Sequence, residues 1–212
     1  MFDLDRTLLP GSSLLTLARA MSRRGLVSAQ QLVSGVAMDR AFRWRGADDE
    51  QVDRLRAVAL RQVAGLESAA LRDLLDEVGG TLARQVLPGA HLLVRRHLDA
   101  GDFVVILSAS PQELVEAVAS RIGAHRAVGT RAECVDGRYT GRLHAPFCYG
   151  AGKLERLEQD LGPGTLADAA AYADSASDLP VLEASREAVA VNPDRRLQAV
   201  ARARGWPVIR FA

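Results

Sequence analysis

Cysteine, long apolar runs and net charge are all scarce in this 212-residue sequence, and each scarcity excludes a class of protein. The two cysteines, Cys134 and Cys148, are too few for a disulfide framework and lack the paired spacing of a zinc site. No apolar run approaches the length of a membrane span, and Asp3 and Asp5 stand where a signal peptide needs a basic start. We therefore expect a cytoplasmic protein with no membrane partner.

The formal net charge is only +1, so no overall field would attract nucleic acid, and we expect no nucleic-acid partner. Hydrophobic residues make up 48% of the chain, which at this length is enough to bury a real core. The sequence leaves the oligomeric state open.

Lysine is scarcer still, because only Lys153 among the 27 basic residues is a lysine and the others are arginine. A compact ammonium differs from the wide planar fork of a guanidinium. The single lysine therefore either marks a position where arginine will not serve or survives by chance.

The first residues of the chain, Phe2-Asp3-Leu4-Asp5-Arg6-Thr7-Leu8, carry two acids two residues apart. If residues 2–4 end a strand, its period of two turns both carboxylates to one face. Two acids so close repel each other, and either a bound divalent cation or a shared proton relieves the repulsion. An acidic turn after a short strand is the alternative interpretation.

Hydrophobic spacing divides the chain into a helical module and an alternating region. Four successive helices are predicted, at 12–25, 28–44, 48–63 and 67–84. After Leu87-Pro88-Gly89 come helices at 90–100 and 112–122 and others from about 152, 177 and 194. The predicted strands are 102–107, a hairpin of 132–135 and 139–143, and then 169–173, 188–191 and 207–211.

This alternation predicts an α/β fold with a parallel sheet covered on both faces. The α/β core would comprise residues 1–10 and 88–212. Residues 11–87 would form a helical cap inserted after the first strand.

Polar side chains gather where the predicted strands and crossovers end, and such ends meet at one edge of a parallel sheet. They are Asp3, Asp5, Ser108, Ser110, Lys153, Asp174 and Asp178. Several acids without histidine or cysteine fit Mg²⁺ before Zn²⁺. Ser108 and Lys153 could donate to a phosphoryl group, and an ionised carboxylate is a nucleophile that needs no base. The set suits phosphate ester hydrolysis.

Four stretches in order carry a family resemblance. They are Phe2-Asp3-Leu4-Asp5-Arg6-Thr7-Leu8, Val105-Ile106-Leu107-Ser108-Ala109-Ser110-Pro111, Gly152-Lys153, and Tyr172-Ala173-Asp174-Ser175-Ala176-Ser177-Asp178. They resemble the four motifs of the haloacid dehalogenase superfamily, subfamily IB, the phosphoserine-phosphatase-like hydrolases. The segment Val191-Asn192-Pro193-Asp194-Arg195-Arg196-Leu197 is similar to the same group. The resemblance implies a Rossmann-like core with an inserted all-helical cap.

The resemblance also implies roles for single residues. Asp3 would attack phosphorus and form an aspartyl-phosphate, while Asp5 would protonate the leaving oxygen and then activate water. Ser108 and Lys153 would bind the phosphoryl oxygens. The Mg²⁺ ligands would be Asp3, the backbone carbonyl of Asp5, and Asp174. Asp178 would orient a metal-bound water or the lysine.

The implied function is hydrolysis of a small phosphorylated metabolite. Phosphoserine phosphatases carry a glutamate about nine residues past the nucleophile, where this chain has Ser12, so phosphoserine, histidinol phosphate and glycerol phosphate all stay candidates. Phosphotransfer to another acceptor, or an inactive binding or regulatory module, are the rival hypotheses. Because only two residues precede Asp3, we expect a chain extended by a few apolar residues to be more stable.

Overall fold

A computed structural model of the chain describes residues 1–26 and 49–211. The strands are Phe2–Asp3 (β1), Val105–Pro111 (β2), Arg126–Thr130 (β3), Ala132–Val135 (β4), Arg138–Leu143 (β5), Ala170–Ala173 (β6), Glu187–Val191 (β7) and Val208–Ile209 (β8). The helices are Ser13–Arg23 (α1), Asp49–Val63 (α2), Ser68–Ala83 (α3), Pro88–Asp99 (α4), Gln112–Ile122 (α5), Ala151–Leu161 (α6), Leu179–Ala184 (α7) and Arg195–Arg204 (α8). A 3₁₀ turn spans Ala176–Asp178.

Six strands form one parallel sheet in the order β3-β2-β1-β6-β7-β8, and β4 and β5 pair as an antiparallel hairpin. The predicted α/β fold with a parallel sheet is therefore confirmed. β1 is only two residues long, yet it lies at the centre, with Phe2 opposite both Ile106 of β2 and Tyr172 of β6. The central position places the first acids of the chain between two other strand ends.

The sheet is buried on both faces. Along β2, Ile106 lies in one hydrophobic cluster, whereas its neighbours Val105 and Leu107 lie in the other. This alternation is the period of two expected of a strand covered by helices on each side. The continuous apolar run at 102–107 predicted such burial.

The helices predicted at 12–25, 48–63 and 67–84 appear as α1, α2 and α3, while the one predicted at 28–44 lies outside the described residues. α3 packs closely on α5, because a Cβ on Gly79 would lie 2.3 Å from the Cβ of Ala117. Leu74 and Leu75 of α3 share a buried cluster with Phe2 of the sheet. The division into core and cap stays a prediction. None of the helices in the described part of the chain is long and apolar enough to cross a membrane.

Three details of the sheet differ from the predictions. β3 was not predicted, because its sequence Arg-Ala-Val-Gly-Thr is short and contains glycine. β2 continues through Ser108 to Pro111, although Ser108-Ala109-Ser110-Pro111 was expected to end it, and its register with β3 shifts between Leu107 and Pro111. β8 covers only two residues of the predicted 207–211.

Candidate active site

Asp3 is the last residue of the central strand β1. Its carboxylate accepts a hydrogen bond of 3.2 Å from the Thr7 hydroxyl. Thr7 reaches back because the chain turns sharply, with the N–H groups of Leu8 and Leu9 both donating to the carbonyl of Leu4. The turn takes the chain out of the sheet directly after Asp3.

The single lysine bridges two acids. Nζ of Lys153 lies 2.7 Å from Oδ1 of Asp3 and 2.6 Å from Oδ1 of Asp178, and all three side chains are nearly buried. Burial alone would lower the pKa of the Lys153 ammonium, but attraction to Asp178 and Asp3 outweighs it and raises the pKa. Gly152 allows the start of α6, which carries Lys153, to lie against the Phe147 backbone, because a Cβ at this position would be 2.1 Å from the Phe147 carbonyl oxygen. Lys153 is therefore a fixed, permanently charged contact.

Three carboxylates converge at this point of the sheet. Oxygens of Asp3, Asp174 and Asp178 lie within 4.8 Å of one another. Burial and then repulsion from Asp3 and Asp178 raise the pKa of Asp174 well above its usual value, and burial also raises the pKa of Asp178. A buried group of hard oxygen donors that repel one another fits a divalent cation such as Mg²⁺.

Asp5 is held by a chain of hydroxyl and backbone groups. The N–H of Ser13, the first residue of α1, donates to Oδ1 of Asp5 at 2.9 Å. The hydroxyls of Ser13 and Ser110 lie 2.6 Å apart, and the N–H of Ser110 donates to the Ser108 hydroxyl at 3.2 Å. Hydrogen bonds therefore join Asp5 to Ser108 across two strand ends and the start of a helix.

Asp5 has the environment of a carboxyl that can carry a proton near neutrality. Burial and then the charge of Asp3 raise its pKa from 3.8 to about 6, against the lowering effect of its hydrogen bonds with Ser13. A general acid works best when its pKa is near the working pH. The two acids of the first motif thus differ: Asp3 contacts an ammonium, and Asp5 contacts hydroxyl and N–H groups.

The structure brings Asp3, Asp174, Asp178 and Lys153 together, and connects Asp5 with Ser108 through neighbours. The carboxylate cluster contains Asp178 itself, for which the resemblance implied an orienting role. Sequence reasoning did not include Ser13 among the candidate site residues. Ser12 is the cap, and Ser13 turns inward to Asp5 and Ser110. The available signal was the position of Ser13 at the start of the first helix after the turn that carries Asp3 and Asp5.

Comparison with known proteins gives concordant results. A family model for haloacid dehalogenase-like hydrolases matches residues 1–183. The chain is 37% identical to a probable phosphatase of Mycobacterium tuberculosis, covering all of this chain and 74% of that one. It is 35% identical to a phosphoserine phosphatase of the same species, covering 99% of this chain and 70% of the relative. A crystal structure of a Bordetella pertussis protein of unknown function has a TM-score of 0.83 at 30% identity, over 98% and 96% of the two chains.

The chain belongs to the haloacid dehalogenase-like hydrolase family. Within that family it is a phosphoric monoester hydrolase, as the phosphatase relatives indicate. The predicted family and enzyme class are confirmed, whereas the roles of single residues stay predictions.

Proposed function

We propose that this enzyme is a Mg²⁺-dependent phosphatase of small phosphorylated metabolites that works through an aspartyl-phosphate on Asp3. The observation that carries the proposal is the contact of the only lysine with both Asp3 and Asp178. An ammonium that holds one carboxylate oxygen of Asp3 fixes the direction of the other oxygen. The fixed carboxylate can then meet a phosphorus atom in line with its leaving group.

In the first step, a carboxylate oxygen of Asp3 forms a bond to phosphorus while the bond to the leaving oxygen breaks. Asp5 gives its proton to that oxygen, which leaves as an alcohol. The raised pKa of Asp5, about 6, supports this role because a fraction of the group is protonated near neutral pH. Asp5 ends the step as a carboxylate.

In the second step, Asp5 accepts a proton from water as the water oxygen attacks the aspartyl-phosphate. The bond between phosphorus and Asp3 breaks, and inorganic phosphate leaves. Lys153 has three N–H donors. One donates to Oδ1 of Asp3, Oδ1 of Asp178 lies 2.6 Å from Nζ, and we assign a remaining donor to a phosphoryl oxygen. The Ser108 oxygen accepts from the Ser110 N–H, which leaves its own O–H to donate to a second phosphoryl oxygen.

Asp3, the Asp5 carbonyl and Asp174 would hold Mg²⁺, with Asp178 close by. The bound ion would supply positive charge against the phosphoryl oxygens and the crowded acids. Support for this assignment comes from the convergence of buried carboxylates.

The substrate we propose resembles phosphoserine, histidinol phosphate or glycerol phosphate in size. One relative is named a phosphoserine phosphatase. Ser12 caps α1 at the position where phosphoserine phosphatases carry a glutamate, so a substrate amine would need another partner. A panel of these three phosphate esters ranks them by kcat/KM.

The decisive test is hydrolysis of an aryl phosphate with and without Mg²⁺, comparing Asp3→Asn with the surface control Asp99→Asn. We expect Asp3→Asn to lose all measurable turnover and Asp99→Asn to match the unmodified enzyme. Acid quenching during turnover should trap a phosphoryl group on the peptide containing Asp3. Activity that survives Asp3→Asn, or trapped label on another peptide, contradicts the nucleophile assignment. Added alcohols separate hydrolysis from phosphotransfer, because a transferase would yield a new ester.

A further inference from the structure

The segment that follows β7 contacts both loops that carry the acids. Asn192 Nδ2 donates to the carbonyl oxygen of Arg6 at 3.2 Å. Two residues on, the N–H of Asp194 donates to the carbonyl of Asp174 at 2.8 Å, and its Oδ2 accepts from the Ala176 N–H at 3.2 Å. A stretch of three residues thus ties the turn after β1 to the turn after β6.

We propose that Asn192 and Asp194 are positioning residues that clamp these two turns together and so fix the distance between the metal-binding groups. This inference rests on the proposed function, because it takes the Asp5 carbonyl and the Asp174 carboxylate as ligands. The side chains of Asn192 and Asp194 contact backbone groups of the two turns. Their role is to hold the turns that carry the proposed metal ligands.

The Asn192 amide is oriented by two different partners. Its Oδ1 accepts from the Phe211 N–H at 2.9 Å, and a backbone N–H can only donate. Its Nδ2 faces the Arg6 carbonyl, which can only accept. An amide satisfies both, whereas a carboxylate of the same shape satisfies only the first. Asn192 is also the single asparagine of the chain.

The backbone at both ends of this bond is unusual. Among the described residues, only Arg6, Asp136 and Asn192 combine a side chain with positive φ, and the values for Arg6 and Asn192 are 61° and 44°. Such conformations cost free energy and persist where contacts enforce them. The φ of Arg6 sets the orientation of the peptide plane that contains the Asp5 carbonyl. The hydrogen bond from Asn192 therefore stabilises the turn that sets the orientation of the Asp5 carbonyl.

The Asp194 carboxylate contacts the Ala176 backbone and also caps helix α8. Its Oδ1 accepts from the Leu197 N–H at 2.7 Å and caps α8, while Oδ2 is used on Ala176. The helix cap fixes the carboxylate, so the second oxygen is already aimed at the turn that carries Asp174. Serine at this position keeps a cap but has no second oxygen.

The test compares Asn192→Asp and Asp194→Ser with Gln198→Glu in the full chain. Asn192→Asp keeps the acceptor for Phe211 and tolerates positive φ, but removes the donor to Arg6. Gln198→Glu makes the same amide-to-acid change on α8 while keeping its bond to Arg210. Mg²⁺ binding is measured by calorimetry and by the shift of the melting temperature, and kcat and KM are measured with an aryl phosphate.

We expect Asn192→Asp and Asp194→Ser to weaken Mg²⁺ binding by about 10-fold to 100-fold, the range found for groups that orient metal ligands. Weaker Mg²⁺ binding by Asn192→Asp would point to the lost hydrogen bond to Arg6, because the added negative charge alone would tighten cation binding. Raising Mg²⁺ should restore much of the lost kcat, which a variant that is merely unfolded would not show. The control should bind Mg²⁺ like the unmodified protein.

Two results overturn the inference and are distinguishable. If the unmodified protein binds Mg²⁺ and both variants bind it equally well, the clamp alone is wrong. If the unmodified protein binds no Mg²⁺, the proposed metal site is wrong and the clamp falls with it. Circular dichroism melts without metal confirm that each variant is folded before either conclusion is drawn.

Discussion

The two sides of the site are held by different forces. On one side, Lys153 contacts Asp3 and Asp178 as a buried ion network. On the other, Asp5 is held by the N–H of Ser13, and the Ser13 hydroxyl meets that of Ser110. On the first, charged side an ammonium contacts Asp3, whereas on the second, neutral side burial raises the pKa of Asp5 to about 6. The contrast supports the proposal that two acids two residues apart take different roles.

The difference also sets the size of mutational effects. Removing one partner from a buried ion pair leaves an uncompensated charge and costs about 3–5 kcal/mol. Removing one neutral hydrogen bond costs about 1 kcal/mol, more when the partner stays buried and unpaired. Substitutions on the charged side should therefore be the more damaging.

The largest effect should come from Lys153→Met. Asp3 and Asp178 would lose their shared cation, so we expect a loss of about 3–5 kcal/mol in the free energy of unfolding without metal. Added Mg²⁺ should reduce that loss, because a cation among the acids replaces part of the missing charge. Turnover should fall by about 100-fold to 1000-fold, as for other lost donors to a transition-state oxygen.

Urea unfolding in EDTA and in Mg²⁺ measures the stability effect, with the exposed Arg95→Met as the control that also removes one cation. Lys153→Arg should keep the charge but not the turnover, because a planar fork cannot replace a point charge between two carboxylates. A stability loss below about 1 kcal/mol for Lys153→Met would break the contrast between the two sides.

Asp5→Asn should separate stability from activity. The folded-state pKa of Asp5 is raised from 3.8 to about 6, so the folded protein favours the protonated form. Ionisation of Asp5 then opposes folding, an effect absent below about pH 4 and fully present above about pH 6. Without metal, Asp5→Asn should therefore be more stable than the unmodified protein at about pH 8, by at most about 3 kcal/mol. Partial exposure of Asp5 makes the gain smaller.

Urea unfolding in EDTA at about pH 4 and pH 8 tests this sign, with Asp99→Asn at an exposed carboxylate as the matched control. Turnover of Asp5→Asn should fall by about 100-fold to 10,000-fold, the range for a lost general acid. A variant that is less stable at both pH values would contradict the raised pKa.

The charged side could be predicted from the sequence more completely than the neutral side. Acids and a lysine at the ends of parallel strands and crossovers are expected to meet, and Asp3, Asp174 and Lys153 do so. Ser13 could not be assigned its contact with Ser110, because 97 residues separate the two and both are ordinary helix or strand-end residues. The composition singled out the only lysine as a candidate site residue, whereas no role was predicted for the only asparagine, Asn192.

The fold shows the same limit. Strands with continuous apolar runs, such as β2 and β7, were predicted, but β3 was not. β3 is fixed by contacts from elsewhere: Gln112 accepts from the Gly129 N–H at 2.7 Å and donates to the Ala127 carbonyl at 2.9 Å. A Cβ on Gly129 would lie 2.8 Å from the Cα of Gln112, so glycine is needed for that approach. Local preference cannot reveal a strand whose glycine serves tertiary packing.

The smallest effect should come from the hydroxyl pair on the neutral side. Ser13→Ala and Ser110→Ala each leave one buried hydroxyl without its partner, so each should cost about 1–2 kcal/mol of unfolding free energy. The double variant should cost less than the sum, because the second substitution removes the hydroxyl that the first left unpaired. Ser120→Ala, at an exposed serine of α5, is the matched control and should change stability by less than about 0.5 kcal/mol.

Because Ser13 keeps its backbone N–H on Asp5 in the alanine variant, turnover should fall only several-fold, while loss of the Ser13 hydroxyl, which lowers the pKa of Asp5, should move the pH profile upward. Salt should alter the stability losses little, since the Ser13–Ser110 pair carries no charge. Strictly additive losses in the double variant would show that the two hydroxyls are not coupled. An unshifted pH profile would instead mean that the Ser13 hydroxyl does not affect the pKa of Asp5 and serves only to bind Ser110.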